Sequence, residues 1–252
     1  MIFKRTVAKL RAQDWFAIAV ELGIVILGVF IGNWVNDWSQ QRAADRETRE
    51  LLRELRPEMT RQRQSMTSIT NYFETTSHYA DIAFAGWRRD PRVSDNDFVI
   101  AAYQASQVYG LSANGQTWAS IFGGDQLRRI NDPAIRTPLQ RLMTYDYTLL
   151  SYDRMATKYR DNVRLIIPNE VQRQIRRACG DRLIQDGRAL ALPATCPITI
   201  ADAGPAAAAL RAHPELIGQL AQHQSAISTQ FVNVALVETQ VEALDKAIAK
   251  LG

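Results

Sequence analysis

Catalytic motifs, histidine, cysteine and strand-forming stretches are all scarce in this chain, and each scarcity removes a class of function. There are three histidines in 252 residues, His78, His213 and His223. None has a partner at metal-ligand spacing: HExxH is absent, and His213 and His223 stand ten positions apart, on different faces of a helix. Surface or capping roles are expected for them. No GxSxG, P-loop or GxGxxG is present, so neither a nucleophile elbow nor a glycine-rich phosphate cradle can be drawn. Gly123-Gly124 is the only glycine doublet, and helix termination accounts for it without a ligand. Tyr145, Tyr147, Tyr152 and Tyr159 are expected on one helix, as core and rim residues rather than a pocket lining. A non-enzymatic protein without cofactor or metal is the expectation.

Excess charge is lacking as well, once its position is considered. The formal net charge is +4, but Lys4, Arg5, Lys9 and Arg11 face only Asp14 in the first fourteen residues. Subtracted from totals of 30 basic and 26 acidic residues, they leave 26 and 25. The rest of the chain is nearly neutral and offers no sustained basic face for nucleic acid.

What the chain does have is one long apolar run, WFAIAVELGIVILGVFIGNWVNDW, at positions 15–38. From Trp15 to Val35 only Glu21 and Asn33 are strongly polar. At 1.5 Å per residue the run reaches roughly 32 Å, enough to cross a hydrocarbon core of about 30 Å. Trp15 at one end, and Trp34 and Trp38 at the other, match interfacial belts. GNWVNDW has no small-x-small cleavage site, which argues against a signal peptide. At 100° per residue, Ala17, Glu21, Gly28 and Gly32 share one stripe, and Gly28 and Gly32 form a GxxxG that lets a second helix approach closely. Two readings of Glu21 stand. It faces a partner helix across the small-residue stripe, or it lies about 9 Å inside Trp15 and reaches the near headgroups or is protonated.

Basic residues flank both ends of the run, with Arg42, Arg46, Arg49, Arg53 and Arg56 after it. Short basic tails resist translocation while long domains cross largely regardless of charge. The expected topology is therefore a cytoplasmic tail (1–14), a transmembrane helix (15–38), a charged helical stalk (39–56) and an extracytoplasmic helical bundle (57–252). The compartment would be the periplasm of a Gram-negative bacterium, with the anchor in its inner membrane. Cys179 and Cys196 lie 17 positions apart, outside any CxxC. In an oxidising compartment they read as a disulfide closing a short loop, worth about 3 kcal/mol, or else as two unrelated buried thiols.

Beyond the span, Asp45–Arg49 and Arg46–Glu50 pair at helical spacing. Pro57 predicts a kink or break. Leu52, Leu55, Met59, Met66, Ile69, Phe73, Ala80, Ala83 and Trp87 then form a 3–4 seam interrupted only by Gln62 and Thr76. Ser94 predicts the start of a helix over 95–109, and Thr117 that of a short helix ended by the glycine doublet. Thr137-Pro138-Leu139-Gln140 reads as a capping box opening a second long helix that Pro168 ends or bends. Residues 180–204 are expected to be irregular, with ALPATCPITI (191–200) the one weak strand candidate. A last helix begins near Pro214, with a seam from Leu216 and Leu220 through Ile227, Phe231, Val234, Val237, Val241 and Leu244 to Ile248 and Leu251. Three long seams make an all-α class.

Two stretches resemble an uncharacterised family of bacterial single-span membrane proteins known as DUF6090. One is the span, with Glu21, Gly28 and the exit Asn36-Asp37-Trp38-Ser39-Gln40-Gln41-Arg42. The other is TWASIFGGDQLRRINDPAIRTPLQRLM, which resembles that family's short helix, glycine-containing turn, Leu-x-x-Ile, acidic residue and Leu/Ile-Arg. The resemblance covers roughly residues 13–160 and departs at Gly32 and Trp34, where aliphatic or amide residues are usual. It implies a single-span helical architecture and brings no activity. The expected function is a membrane-anchored protein acting by protein–protein contacts, as a scaffold or accessory subunit, with another transmembrane helix as partner. The alternative is a periplasmic ligand-sensing bundle that signals through a partner protein.

Overall fold

A computed structural model describes residues 15–110, 126–155, 157–185 and 189–250. The tail (1–14) and the helix expected after Thr117 lie outside the described residues. The chain is mostly helical, and it divides into two units between Leu51 and Leu52. Helix α1, Trp15–Trp87, contributes to both. Within the first unit, the apolar N-terminal part of α1 is long and apolar enough to cross a membrane, and none of that apolar window is buried.

The proline break expected at position 57 does not occur, and α1 runs through Pro57. Both Pro57 and Arg53, whose carbonyl loses its donor, are exposed, so water can serve that oxygen. In the second unit the 3–4 seam of α1 is buried from Leu52 to Ala83, because those side chains recur on one face. Arg89 adopts a left-handed conformation (φ 56°) just past the helix, and the Asp90 amide donates to the Ala85 carbonyl (3.0 Å) to close its last turn.

Ser94 caps α2, Asp95–Gln104, by accepting from the Asp97 amide. The helix stops five residues short of the expected Tyr109. The Ser106 hydroxyl donates to the Tyr103 carbonyl (2.6 Å) and so competes with helix continuation. After the short α3, Gln126–Arg129, comes α4, Pro133–Thr144. Its cap is Asp132, which accepts from the Ala134 amide (2.8 Å), with Pro133 in the first turn. The capping box expected at Thr137 therefore lies inside the helix, one turn too late.

The second long helix is in fact four pieces. After α4 come a 3-10 turn, Tyr147–Leu150, then α5, Tyr152–Met155, and α6, Lys158–Ile166. Asp146 accepts from both the amide (3.0 Å) and the hydroxyl (2.6 Å) of Thr148, a local alternative to helix propagation. The four tyrosines expected on one helix are therefore spread over these pieces: Tyr147 and Tyr159 are buried, and Tyr152 is exposed. Pro168 precedes α7, Asn169–Cys179.

Contrary to expectation, the described part of residues 180–204 is not wholly irregular. Strands β1, Arg182–Ile184, and β2, Ala189–Ala191, pair antiparallel with Leu183 opposite Leu190. Helices α8, Ala203–Arg211, and α9, Glu215–Ala249, complete the chain. Of the weak strand candidate 191–200, only Ala191 belongs to a strand.

Two antiparallel runs along α9 organise the second unit. Arg63 of α1 pairs with Asp245 (3.1 Å), and Phe73 meets the Phe231 ring (6.4 Å). On the segmented side, Tyr145 donates to the Asn233 carbonyl, and Asn162 to Gln219. Helix α2 packs on α6 and α8: Tyr159 donates to the Ala102 carbonyl (2.8 Å), and Arg211 pairs with Asp95 (2.7 Å).

Candidate functional site

In the first unit, Glu21, Gly28 and Gly32 are exposed residues of α1. Ala17 lies on the same helix, with its side chain outside the described residues. A Cβ built at Gly28 or Gly32 meets nothing within 4 Å. Around this stripe the large side chains are exposed too, Phe30 at 75% and Trp34 at 69%. The stripe and its apolar surroundings are thus uncovered by the described residues of this chain. An apolar patch of this size marks a surface that contacts lipid or protein.

In the second unit, chemistry gathers in a polar layer that crosses the core. The long seams carry polar side chains where the neighbouring helix is broken. Gln230 of α9 donates to the Leu149 carbonyl (2.7 Å), and Gln62 of α1 reaches the Tyr147 hydroxyl (3.4 Å). His223 of α9 shares a 2.9 Å hydrogen bond, through Nδ1, with the hydroxyl of Thr157. Its ring lies 5.9 Å from that of Tyr159. Gln230 thus answers a backbone carbonyl that an unbroken helix would have satisfied itself, while Gln62 and His223 answer side-chain hydroxyls.

The surface or capping role expected for the histidines fails for His223, which is 0% exposed. It occupies the 3–4 position between Leu220 and Ile227, so the helix periodicity itself carries it inside. Burial, followed by the positive charge of Arg160, pushes its pKa down to about 4, against a small upward pull from the Ala105 carbonyl. The ring is therefore neutral near pH 7. Its Nε2 has no partner in hydrogen-bonding geometry. His213, by contrast, is exposed and bonds Glu215 (2.8 Å) at the start of α9.

Three arginines gather where α2 ends. Arg160 Nη1 donates to the Ser106 carbonyl (2.7 Å), and Arg164 Nη2 to Gln107 Oε1 (2.8 Å). Arg176 Nη1 donates to the Tyr103 hydroxyl (3.3 Å), while the Arg164 guanidinium stands 5.0 Å above the Tyr103 ring. Their partners are carbonyl, amide and hydroxyl oxygens; among the described residues none of the three forms a salt bridge. Gln104, Ser106 and Gln107 are all buried, so the guanidinium groups sit against a buried polar run. Burial, then repulsion from Arg160, lowers the Arg164 pKa, with Arg176 adding to it. Asp181 brings a carboxylate into this neighbourhood and accepts from the Tyr72 hydroxyl (2.8 Å). Burial and that carboxylate raise the Tyr72 pKa well above the ordinary phenol range.

Cys179, the last residue of α7, is bonded to Cys196 with their Cα atoms 5.4 Å apart. The Cys179 carbonyl accepts from the buried Gln104 side chain (2.6 Å), which ties the bridge to the polar layer. Among the described residues no group of His, Cys, Asp and Glu is placed to hold a metal ion.

The layer was not singled out from sequence. Arg160 and Arg164 stand at i and i+4, a like-charge pair on one helix face in which Arg164 has Asp161 at i−3 and Arg160 has no acidic residue at helical spacing, a signal that was available. Its third member, Arg176, comes from another helix and carries no such signal. Compared with known protein families, characterised proteins and solved structures, the chain has no match.

Proposed function

We propose that this chain is a membrane-anchored, non-enzymatic protein that works through protein–protein contacts, as a scaffold or accessory subunit of a membrane complex. The observation that carries this reading is the exposed apolar segment of α1, whose large side chains find no cover among the described residues. Left in water, such a surface aggregates; within a bilayer it is at home, and its small-residue stripe is free to receive a second helix. In this reading residues 15–38 span the inner membrane, 39–56 form a charged stalk, and the helical bundle lies in the periplasm. The basic tail supports the orientation, and the Cys179–Cys196 bridge supports an oxidising compartment. The DUF6090-like pattern around Glu21 and Gly28 belongs to the same proposal.

Mild detergent extraction followed by mass measurement tests it. The expected particle exceeds one chain plus detergent and falls to a single chain in Glu21→Leu or Gly28→Leu. A strict monomer unaltered by either substitution contradicts the proposal. A second reading, a ligand-sensing bundle that signals through a partner, is favoured by the guanidinium cluster around Gln107. A saturable rise in melting temperature with a single metabolite would support it.

A further inference from the structure

We infer that Arg160, Arg164 and Arg176 form a binding site for a phosphate-type oxyanion at the end of α2, a function independent of the anchor. Each guanidinium carries five N–H donors in a rigid fork. The bonds to Ser106, Gln107, Tyr103 and Gln172 engage only part of that capacity. Nη2 of Arg160 and Nη1 of Arg164 donate to no described residue, yet neither is among the buried unsatisfied atoms, so both reach solvent. Arg160 and Arg164 are half-buried, and their positions are fixed from behind by the Ser106–Gln107 segment. The donors left over therefore face outward from a preorganised base.

Capping the carbonyls at the C-terminal end of α2 would explain one arginine, since a cation at a helix C-terminus is favourable. It does not explain three. Like charges held together at a half-buried site repel one another, and that cost is relieved when an anion shares them. Asp181 offsets one charge at most, and its carboxylate is already engaged by Tyr72. A tetrahedral oxyanion presents several acceptors and more than one negative charge, which matches converging forks better than chloride does. Free phosphate and the phosphodiester of an anionic lipid share this chemistry.

The test uses the full chain in nonionic detergent, titrated calorimetrically with inorganic phosphate against sodium chloride of equal ionic strength. A second arm compares protection of Arg160 and Arg164 from phenylglyoxal in nanodiscs of phosphatidylglycerol and phosphatidylcholine. Saturable phosphate heat, weakened at least about tenfold by R160Q, R164Q and R164K, is the expected result and identifies a free anion. Protection confined to phosphatidylglycerol discs, lost in the same variants, supports the site with a lipid source. Should the half-buried variants fail to fold, R176Q, at an exposed side chain, must weaken whichever signal is seen. No saturable heat and no headgroup-dependent protection, or signals that the arginine variants leave unchanged, overturn the site.

Discussion

Replacing Gly86 by alanine should destabilise the second unit, although alanine is the better helix former. Gly86 lies in the last turn of α1, where Phe98 of α2 packs directly on its backbone. An added Cβ would lie 2.5 Å from Phe98 Cγ and 2.8 Å from Phe98 Cβ, closer than real carbon contacts come. The ring cannot move aside easily. It is 0% exposed, with the Trp87 ring 5.1 Å away and the Arg211 guanidinium 4.8 Å from its centre. Overpacking of this kind costs about 1–3 kcal/mol, and the helix propensity of alanine returns up to about 1 kcal/mol. A clash this deep against a pinned ring falls in the upper part of that range, about 2–3 kcal/mol, so the net loss is about 1–2 kcal/mol, or a fall in melting temperature of about 3–6 °C for a unit of this size. Thermal unfolding followed by circular dichroism measures it. Gly218 supplies the control, because it is an exposed helical glycine of α9 with nothing within 4 Å of an added Cβ. There the same substitution should stabilise by roughly 0.5–1 kcal/mol. A Gly86→Ala protein as stable as the parent would refute the close α1–α2 packing.

Two further outcomes follow from the second unit. Reducing the Cys179–Cys196 bridge, or replacing both cysteines by alanine, should lower stability by about 3 kcal/mol for a loop of this length, as read from denaturant midpoints. Identical midpoints with and without reductant would remove the bridge from the stability account. His223 should make the fold acid-sensitive. Its folded pKa of about 4 lies below the ordinary histidine value of 6.5, so the unfolded chain binds the extra proton between the two. Stability from this group is complete above about pH 6.5 and is lost as pH falls toward 4, by on the order of 3 kcal/mol. A His223→Asn protein should lose less stability than the parent between pH 7 and pH 4.5; equal losses would mean that the folded ring takes up its proton as readily as the unfolded chain does.

The legible parts of this fold were those with a period. The seams of α1 and α9 stand out in sequence because apolar residues at alternating three and four spacing have one physical solution, a buried helix face. The polar members of those seams were harder. Gln62 looked like an interruption and His223 like a surface residue, because their partners are hydroxyl groups at breaks in another segment. Those breaks were missed in turn: Tyr145 to Tyr159 keeps helical spacing, while Asp146 diverts the backbone through a local hydrogen bond that periodicity cannot register. The hairpin around Leu183 and Leu190 carried a signal that went unused, Asp186-Gly187 between short apolar runs. The arginine site joins α2, α6 and α7, so only tertiary structure brings it together.

The uncovered face of α1 is the centre of the functional account, and crosslinking within native membranes tests it most directly. A photoreactive residue placed singly from position 20 to position 35 should give adducts that peak at 21, 28 and 32 and fade on the opposite side, near Gly23, Phe30 and Trp34. Adducts spread evenly around the helix, or only to lipid, would contradict a role for Glu21, Gly28 and Gly32 in helix recognition.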